Sequence, residues 1–288
     1  MNTVTRPAPL RQVHGPSALG GGSRRFFDLL WLMSVTEFKR VYFGTVFGYL
    51  WSLMRPLMLF GVLLFVFTQV FKLGSQIHNY PVLLLLGIVQ FTFFQEATTN
   101  AVTSVVAQEG VVRKTQFPRM VIPLSTVLTA FFNFSLNLIV VFVFILVWGV
   151  DPTWTWLLYP VALTALFVFT AALSMAFSVL YVRFRDVAII WIVGAQVLFY
   201  ATPILYPLGE KGLNRPHLEQ LLMINPLAVI FEQIRVWVLH EPAELAPTAT
   251  AAAGGWVHLL PALAIYVAVC IFGVWIFNRE APRIAEDL

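Results

Sequence analysis

Residues able to take part in chemistry are few in this sequence. Glu96 is the one clear acidic residue inside a long apolar stretch, where an unpaired charge is costly. We expect it to lie near a helix break and to hydrogen-bond locally, to Thr98, Thr99 or Asn100. The sequence contains no GxxxxGK[ST] phosphate loop, no HExxH or GxSxG motif and no Cys/His metal cluster. A protein with this sequence would take the energy for any transport from another polypeptide.

Composition indicates a membrane protein. Of 288 residues, 59% are hydrophobic and 11% charged, and the mean hydropathy is +0.81. In average globular chains about 45–50% of the residues are apolar and about 25% are charged. The apolar residues come in long unbroken runs, which predict helices. The fold class is therefore predicted to be all-α.

Six charge-poor stretches predict six transmembrane helices. They cover about residues 45–71, 81–106, 120–148, 157–181, 187–206 and 257–278. The apolar tract at 221–239 is short and contains Pro226, Glu232 and Arg235. It is therefore predicted to form re-entrant or interfacial outer helices before the last span. Pro203 and Pro207 predict a break near the outer end of the fifth span.

The distribution of Lys and Arg predicts the orientation. With six spans, fourteen of these residues fall on one side and four on the other. Because positive charge accumulates on the cytoplasmic side, both termini are predicted to be cytoplasmic. Residues 1–23 have the composition of a flexible arm. Residues 24–42 combine aromatic and basic groups near helical spacing, which favours an amphipathic helix at the cytoplasmic interface, with an ordinary juxtamembrane linker as the alternative.

Four stretches, in order and at matching spacing, resemble one family. They are FGTVFGYLWSLMRPLM (43–58), EGVVRKTQFPRMVIPLS (109–125), YVRFRDVAIIWIVGAQVLFYATPILYP (181–207) and INPLAVIFEQIRVWVL (224–239). Together they resemble the ABC-2 type permeases that export polysaccharides such as O-antigen, teichoic acid or galactan. The resemblance covers residues 24–288, which we take as the transmembrane domain. Arg55 is a departure, because relatives often have a neutral residue there.

The resemblance implies a function and a set of partners. It implies a permease subunit, not itself an enzyme, that pairs with a second copy of itself and with two copies of a separate ABC ATPase. The cargo it implies is a glycan on a polyprenyl diphosphate lipid, exported across the inner or plasma membrane. No cofactor is expected in this chain, since ATP and Mg²⁺ would bind the ATPase. No nucleic-acid partner is expected.

The resemblance also implies roles for particular residues. The segment 108–117 would be a coupling helix seated on the ATPase, with Phe117 as its apolar anchor and Arg119 as a charge partner. The coupling residues are Glu109, Arg113, Lys114, Phe117, Pro118 and Arg119. The first and fifth spans would line the conduit, with Phe67, Phe71, Phe199, Tyr200 and Tyr206. Candidates for binding the lipid diphosphate are Arg55, Arg183 and Arg185, although each of these could equally anchor its helix at the membrane surface.

Three alternatives stay open at this point. An exporter of a drug or small lipid would share the fold but show less aromatic bias in the first and fifth spans. A membrane-embedded glycan-processing enzyme would need paired acidic residues at the cytoplasmic face, and those available there are not adjacent. An ion-coupled carrier or channel is disfavoured because charge within the spans is scarce.

Overall fold

A computed structural model of the chain describes residues 23–42, 48–72, 79–110, 118–209, 213, 215–240 and 247–281. Helices make up nearly all of the regular structure in these ranges. They contain no β-strand, only an isolated bridge between Leu208 and Leu213. The predicted all-α class is confirmed. The predicted N-terminal arm lies outside these ranges except for Ser23, which begins the first helix.

The α-helices are numbered here in chain order. They are α1 (Ser23–Tyr42), α2 (Leu50–Phe65), α3 (Tyr80–Ala107), α4 (Val121–Val147), α5 (Tyr159–Arg183), α6 (Val187–Ala201), α7 (Pro216–Leu222), α8 (Pro226–Leu239), α9 (Ala249–Ala252) and α10 (Leu260–Glu280). A π-helical turn, Val66–Val70, extends α2, and 3-10 turns precede α5 and α10. Proline occupies the first turn of α3, α5, α7, α8 and α10, where its missing N–H needs no partner.

Within the described ranges, five helical segments are long and apolar enough to cross a membrane. They are Leu50–Val70, Tyr80–Ala107, Val121–Val147, Trp154–Arg183 and Trp256–Glu280. Each overlaps a predicted span closely. Helices α7 and α8 meet at a bend of 108°, as a broken span or a re-entrant loop would. Whether the chain crosses six times, with re-entrant helices and both termini inside, stays a prediction.

The fifth predicted span is shorter than expected. Helix α6 has 15 residues and ends at Ala201, five residues before the predicted end of the span, and the helix break predicted from Pro203 and Pro207 is confirmed. Thr202 has an extended backbone, the conformation that a residue before proline favours. Pro203 follows without an N–H to continue the helix, so the chain leaves the helical path at this point.

Helix α3 forms the centre of the molecule and packs against α2, α4, α5, α6 and α8. In its most apolar window 72% of the residues are buried, against 6% in the α2 segment and 11% in the α10 segment. The aromatic side chains of α3 account for much of this core, with Phe91, Phe93 and Phe94 fully buried. Helices α2 and α10 therefore lie at the periphery, where their apolar side chains face outward.

Two contacts fix helices against this core. A Cβ on Gly273 of α10 would lie 2.2 Å from the carbonyl oxygen of Ala172 in α5, so only glycine permits this close approach of the two backbones. Helix α1 lies along the first part of α4. There Thr129 donates a hydrogen bond to the Ser34 carbonyl at 3.2 Å, and the rings of Trp31 and Phe132 meet edge to face. The helical conformation predicted for residues 24–42 is thus confirmed, while its place at the membrane interface stays a prediction.

Candidate functional site

A polar cluster joins α3, α4 and the start of α2. Nδ2 of Asn133 donates a hydrogen bond to Oε1 of Glu96 at 2.8 Å. The Asn133 carbonyl accepts hydrogen bonds from Nδ2 of Asn137 at 2.8 Å and from the Tyr49 hydroxyl at 3.4 Å. We call Tyr49, Glu96, Asn133 and Asn137 the Asn133 cluster. The side chain of Asn133 thus joins α4 to α3 through Glu96, while its backbone carbonyl joins α4 to the start of α2 through Tyr49.

This arrangement corrects the expectation for Glu96. Helix α3 runs unbroken from Tyr80 to Ala107. The Thr98 hydroxyl donates instead to carbonyls of its own helix and lies 3.1 Å from Nε1 of Trp191 on α6. Glu96 is bonded to a residue 37 positions away on α4, so the predicted local hydrogen bond at a helix break is wrong.

Arg55, a predicted diphosphate ligand, is exposed on α2 and lies near this cluster. The positive charge of its guanidinium reaches Glu96 through space, as the smallest of the influences on that carboxyl after burial and the Asn133 hydrogen bond. Within the described part of the chain, however, no ion pair of 4.0 Å or less joins them, and Arg55 makes no hydrogen bond. A guanidinium has five N–H donors. Those of Arg55 are therefore open to an anionic group.

The other two predicted phosphate ligands flank the turn between α5 and α6. Arg183 and Arg185 are both exposed. The Arg185 guanidinium lies 5.0 Å from the centre of the Tyr181 ring, and that of Arg183 lies 5.8 Å from the Phe184 ring. Arg183 also lines a shallow cleft against the end of α10, with Glu280 on its other side. Both arginines thus rest on aromatic rings with their donors facing outward.

The predicted coupling segment is described only at its two ends. Arg113, Lys114 and Phe117 lie outside the described residues. Glu109 is half-buried just beyond α3, and Pro118 is buried before α4. Arg119 is buried as well, 6% exposed, and its Nη1 donates to the carbonyl of Ala281 at the end of α10. Arg119 therefore ties the start of α4 to the C-terminal helix, and its predicted contact with an ATPase stays a prediction.

The predicted conduit residues fall into two environments. Phe71 and Tyr200 are largely exposed, at 63% and 58%. Phe67 is half-buried and packs on Phe71 with 5.4 Å between ring centres. Phe199 is buried against Phe91 of α3, where the ring centres are 5.2 Å apart. Phe71 and Tyr200 are thus available to a passing solute, whereas Phe199 contributes to the core in this conformation.

The outer end of α6 continues into a buried, non-helical segment, Thr202–Pro207. Nδ2 of Asn225, before α8, donates to the Thr202 hydroxyl at 3.1 Å, and the Tyr80 hydroxyl donates to the Leu205 carbonyl at 2.9 Å. The Tyr206 hydroxyl folds back to the Tyr200 carbonyl at 3.1 Å. The bonds from Tyr80 and Tyr206 thus each satisfy a backbone carbonyl at or beside the helix break, and the bond from Asn225 ties the break to the start of α8.

A second charged pair lies on α8. Arg235 and Glu232, one turn apart, form an ion pair whose side chains are only 5% and 0% exposed. Sequence reasoning noted both charges but not their contact, although the i,i+3 spacing was a usable signal. It missed Asn133 and Asn137 altogether. Their signal was an i,i+4 pair of amides in an otherwise apolar helix.

No metal site accompanies these polar groups. The described ranges hold no group of three or more His, Cys, Asp and Glu side chains that could bind a metal ion. The arrangement instead offers hydrogen-bond donors, acceptors and exposed aromatic rings.

Comparison with known proteins agrees with this picture. Residues 28–239 match the model of the ABC-2 type transporter family. Two proteins of Klebsiella pneumoniae named O-antigen export system permease protein RfbA are each 36% identical over 203 residues, which is 70% of this chain and 76% of theirs. A protein of the same name from Myxococcus xanthus is 28% identical over 231 residues, or 80% of this chain and 88% of its own.

Proposed function

Because the chain belongs to the ABC-2 type transporter family, we propose that it is the membrane permease subunit of an ATP-driven polysaccharide exporter. The cargo would be a polysaccharide linked to a polyprenyl diphosphate, moved outward from the cytoplasm. The observation that carries the proposal is the match to O-antigen export permeases over 70% of the chain. The exposed aromatic rings of Phe71 and Tyr200 support it, because sugars stack their C–H faces on such rings.

The proposed assembly contains two copies of this chain and two of an ABC ATPase. Helix α6 buries a single stripe, Trp191, Ala195 and Phe199, and exposes apolar residues such as Ile192 and Val193 on its other sides. Much of α2 is exposed in the same way. These faces suit either lipid or a second copy, and in the proposed dimer they line the conduit.

The proposed contact with the ATPase is the segment 108–119. Arg113, Lys114 and Phe117 would bind the ATPase there, since apolar anchors and charged rims characterise docking surfaces. Movement of this segment would reach α10 directly, because Arg119 bonds to Ala281. The termini, the arm and this segment would all lie on the cytoplasmic side of the inner membrane.

Reconstitution would test the proposal. The permease and its ATPase are placed together in proteoliposomes, and movement of a polyprenyl-diphosphate-linked glycan across the membrane is followed with a lectin that binds only exposed glycan. We expect ATP-dependent movement that requires both proteins. Stimulation of ATP hydrolysis by small amphipathic drugs, with no response to the glycan lipid, would instead identify a drug or lipid exporter.

A pair of variants separates coupling from folding. Phe117→Ala with Arg113→Ala should abolish export while leaving the permease inserted, because it removes the proposed anchor and a rim charge. Arg119→Ala serves as the comparison, since it breaks the bond to Ala281 and should lower stability as well. Unchanged export and unchanged co-purification with the ATPase in the first variant would contradict the coupling assignment.

A further inference from the structure

A small cleft lies where α5 and α10 end side by side. Arg183 is the last residue of α5 and Glu280 is the last residue of α10. Besides these two opposite charges, the lining includes the apolar side chains of Val179, Leu180, Val182 and Ile276. The cleft has a volume of about 90 Å³, far below the roughly 300–1,000 Å³ of pockets that enclose drug-sized ligands. It therefore suits a small headgroup and not a sugar chain.

The lengths of the two helices place this cleft at the level of lipid headgroups. The segments Trp154–Arg183 and Trp256–Glu280 are both long and apolar enough to cross a membrane. At 1.5 Å per residue, their 30 and 25 residues reach about 45 Å and about 37 Å, whereas the hydrocarbon core is about 30 Å thick. The last residues of both helices thus extend beyond the hydrocarbon. The half-exposed Trp275 on α10 agrees with this level, since tryptophan is enriched at membrane–water interfaces.

The two charges of the cleft remain available to an external group. No ion pair of 4.0 Å or less joins Arg183 and Glu280, and neither side chain makes a hydrogen bond within the described ranges. The Arg183 guanidinium rests near the Phe184 ring. Glu280 lies 3.5 Å from Nε of Arg279, longer than the roughly 2.7–2.9 Å of a charge-assisted hydrogen bond. Arg279 is itself largely exposed, with its guanidinium 5.2 Å from the centre of the Trp275 ring.

A cation and an anion beside one cleft favour a ligand that carries both charges. A purely anionic headgroup is attracted by Arg183 but repelled by Glu280, and a diphosphate is repelled more strongly because it carries more negative charge. Phosphatidylethanolamine has a phosphate that fits the guanidinium fork and a primary ammonium that can donate to a carboxylate. The quaternary ammonium of phosphatidylcholine has no N–H to donate.

We propose that this cleft binds a phosphatidylethanolamine molecule, with the phosphate on Arg183 and the ammonium on Glu280. The acyl chains lie along the apolar lining and the exposed apolar side of α10. The lipid joins the two helix ends about 10 Å beyond Gly273, where α10 packs closely on Ala172 of α5. This site is separate from the proposed export function. It leaves Arg55 and Arg185 as the candidates for binding the lipid diphosphate.

Native mass spectrometry of the full-length permease in detergent would test the proposal. Phosphatidylethanolamine, phosphatidylcholine and phosphatidylglycerol with identical acyl chains are added in equal amounts, and the first bound lipid is identified. We expect phosphatidylethanolamine to exceed the other two by about two- to fivefold, the scale of a partly exposed ion pair. Arg183→Gln should lower the binding of all three, because each carries a phosphate. Glu280→Gln should abolish the preference over phosphatidylcholine while leaving phosphatidylcholine binding unchanged.

Two neighbouring charges serve as matched controls. Arg185 and Asp186 are exposed in the turn after α5 and do not line the cleft. Arg185→Gln and Asp186→Asn should therefore keep the lipid ratios of the parent. The ratios are read on intact, lipid-bound protein, so a variant that only loses stability gives less signal without changing them.

Three results would overturn the proposal. The first is a parent that binds the three phospholipids equally or prefers phosphatidylglycerol. The second is an unchanged preference for phosphatidylethanolamine in Glu280→Gln. The third is displacement of phosphatidylethanolamine by an equal concentration of farnesyl diphosphate, which would return Arg183 to the diphosphate candidates. None of them bears on the proposed export function, because glycan movement in proteoliposomes is measured separately.

Discussion

Two pairs of opposite charge lie in apolar parts of this protein, and they are built differently. Glu232 and Arg235 are one turn apart on α8, in direct contact and buried. Arg55 and Glu96 belong to different helices, Arg55 is exposed, and no ion pair of 4.0 Å or less joins them in the described structure. The first pair is closed by its own contact. In the second, Glu96 accepts a hydrogen bond from a third residue, Asn133.

This difference separates a structural charge pair from one suited to binding. In the α8 pair the attraction between charges offsets part of the cost of their burial, so removal of either partner leaves a buried charge that is less well compensated. In the Arg55 pair the charges interact without contact, so the donors of Arg55 remain available. The buried Arg235 is thus paired within its own helix, whereas the exposed Arg55 makes no ion pair or hydrogen bond in the described structure.

The largest expected effect is that of breaking the α8 pair. Arg235→Leu leaves the buried Glu232 without its ion-pair partner and should lower the free energy of unfolding by about 3–5 kcal/mol. Thermal unfolding of the purified protein in detergent, followed by tryptophan fluorescence, measures it. Arg55→Leu is the matched control, since this arginine is exposed, and it should change stability far less. Equal losses in the two variants would remove the distinction between the pairs.

A smaller effect is expected from releasing Glu96. Asn133→Leu removes the donor to the Glu96 carboxylate and should cost about 1–3 kcal/mol, the penalty for a buried polar group that loses its partner. The same unfolding measurement applies. Asn137→Leu is the control, because the Asn137 side chain donates to the backbone carbonyl of Asn133 and makes no hydrogen bond to Glu96 in the described structure. A smaller loss for Asn133→Leu than for Asn137→Leu would argue against Asn133 as the holder of the carboxylate.

The smallest effect is expected when both members of the α8 pair are replaced. Glu232→Met with Arg235→Leu substitutes apolar contacts for the ion pair, and buried pairs replaced in this way are often neutral or more stable. We expect a stability within about 1 kcal/mol of the parent. A loss as large as that of Arg235→Leu alone would show that the charges have partners beyond each other that matter for folding.

The sequence predicted the helical stretches well and the contacts between them poorly. Absence of charge located α3, α4 and α10 to within about three residues, because a membrane helix must be apolar over its whole length. Because all faces of such a helix are apolar, its sequence does not show which face is buried. Nothing in the α6 sequence distinguishes Phe199, which packs on Phe91, from its exposed neighbour Tyr200.

The site was predictable only in part for the same reason. Arg55 and Glu96 stood out as charges among apolar residues. The hydrogen bond of Glu96 to Asn133 was not predictable in this way, because the Asn133 side chain reaches Glu96 only through the packing of α3 against α4. The end of α6 was a different kind of miss. Pro203 was visible and its effect on the preceding residue is general, so the helix could have been ended at Ala201 from the sequence.

The shortness of α6 bears on the permeability of the membrane beside it. At 1.5 Å per residue, its 15 residues span about 22 Å, whereas the hydrocarbon core of a bilayer is about 30 Å thick. Lipid thins around a short apolar segment. The layer that excludes water should therefore be several ångströms thinner along this helix, which lowers the work of carrying a hydrated polymer across. If α6 crosses the membrane as predicted, the buried residues Thr202, Ile204 and Leu205, which follow its C-terminal end, would fill part of the thickness that the helix leaves uncovered.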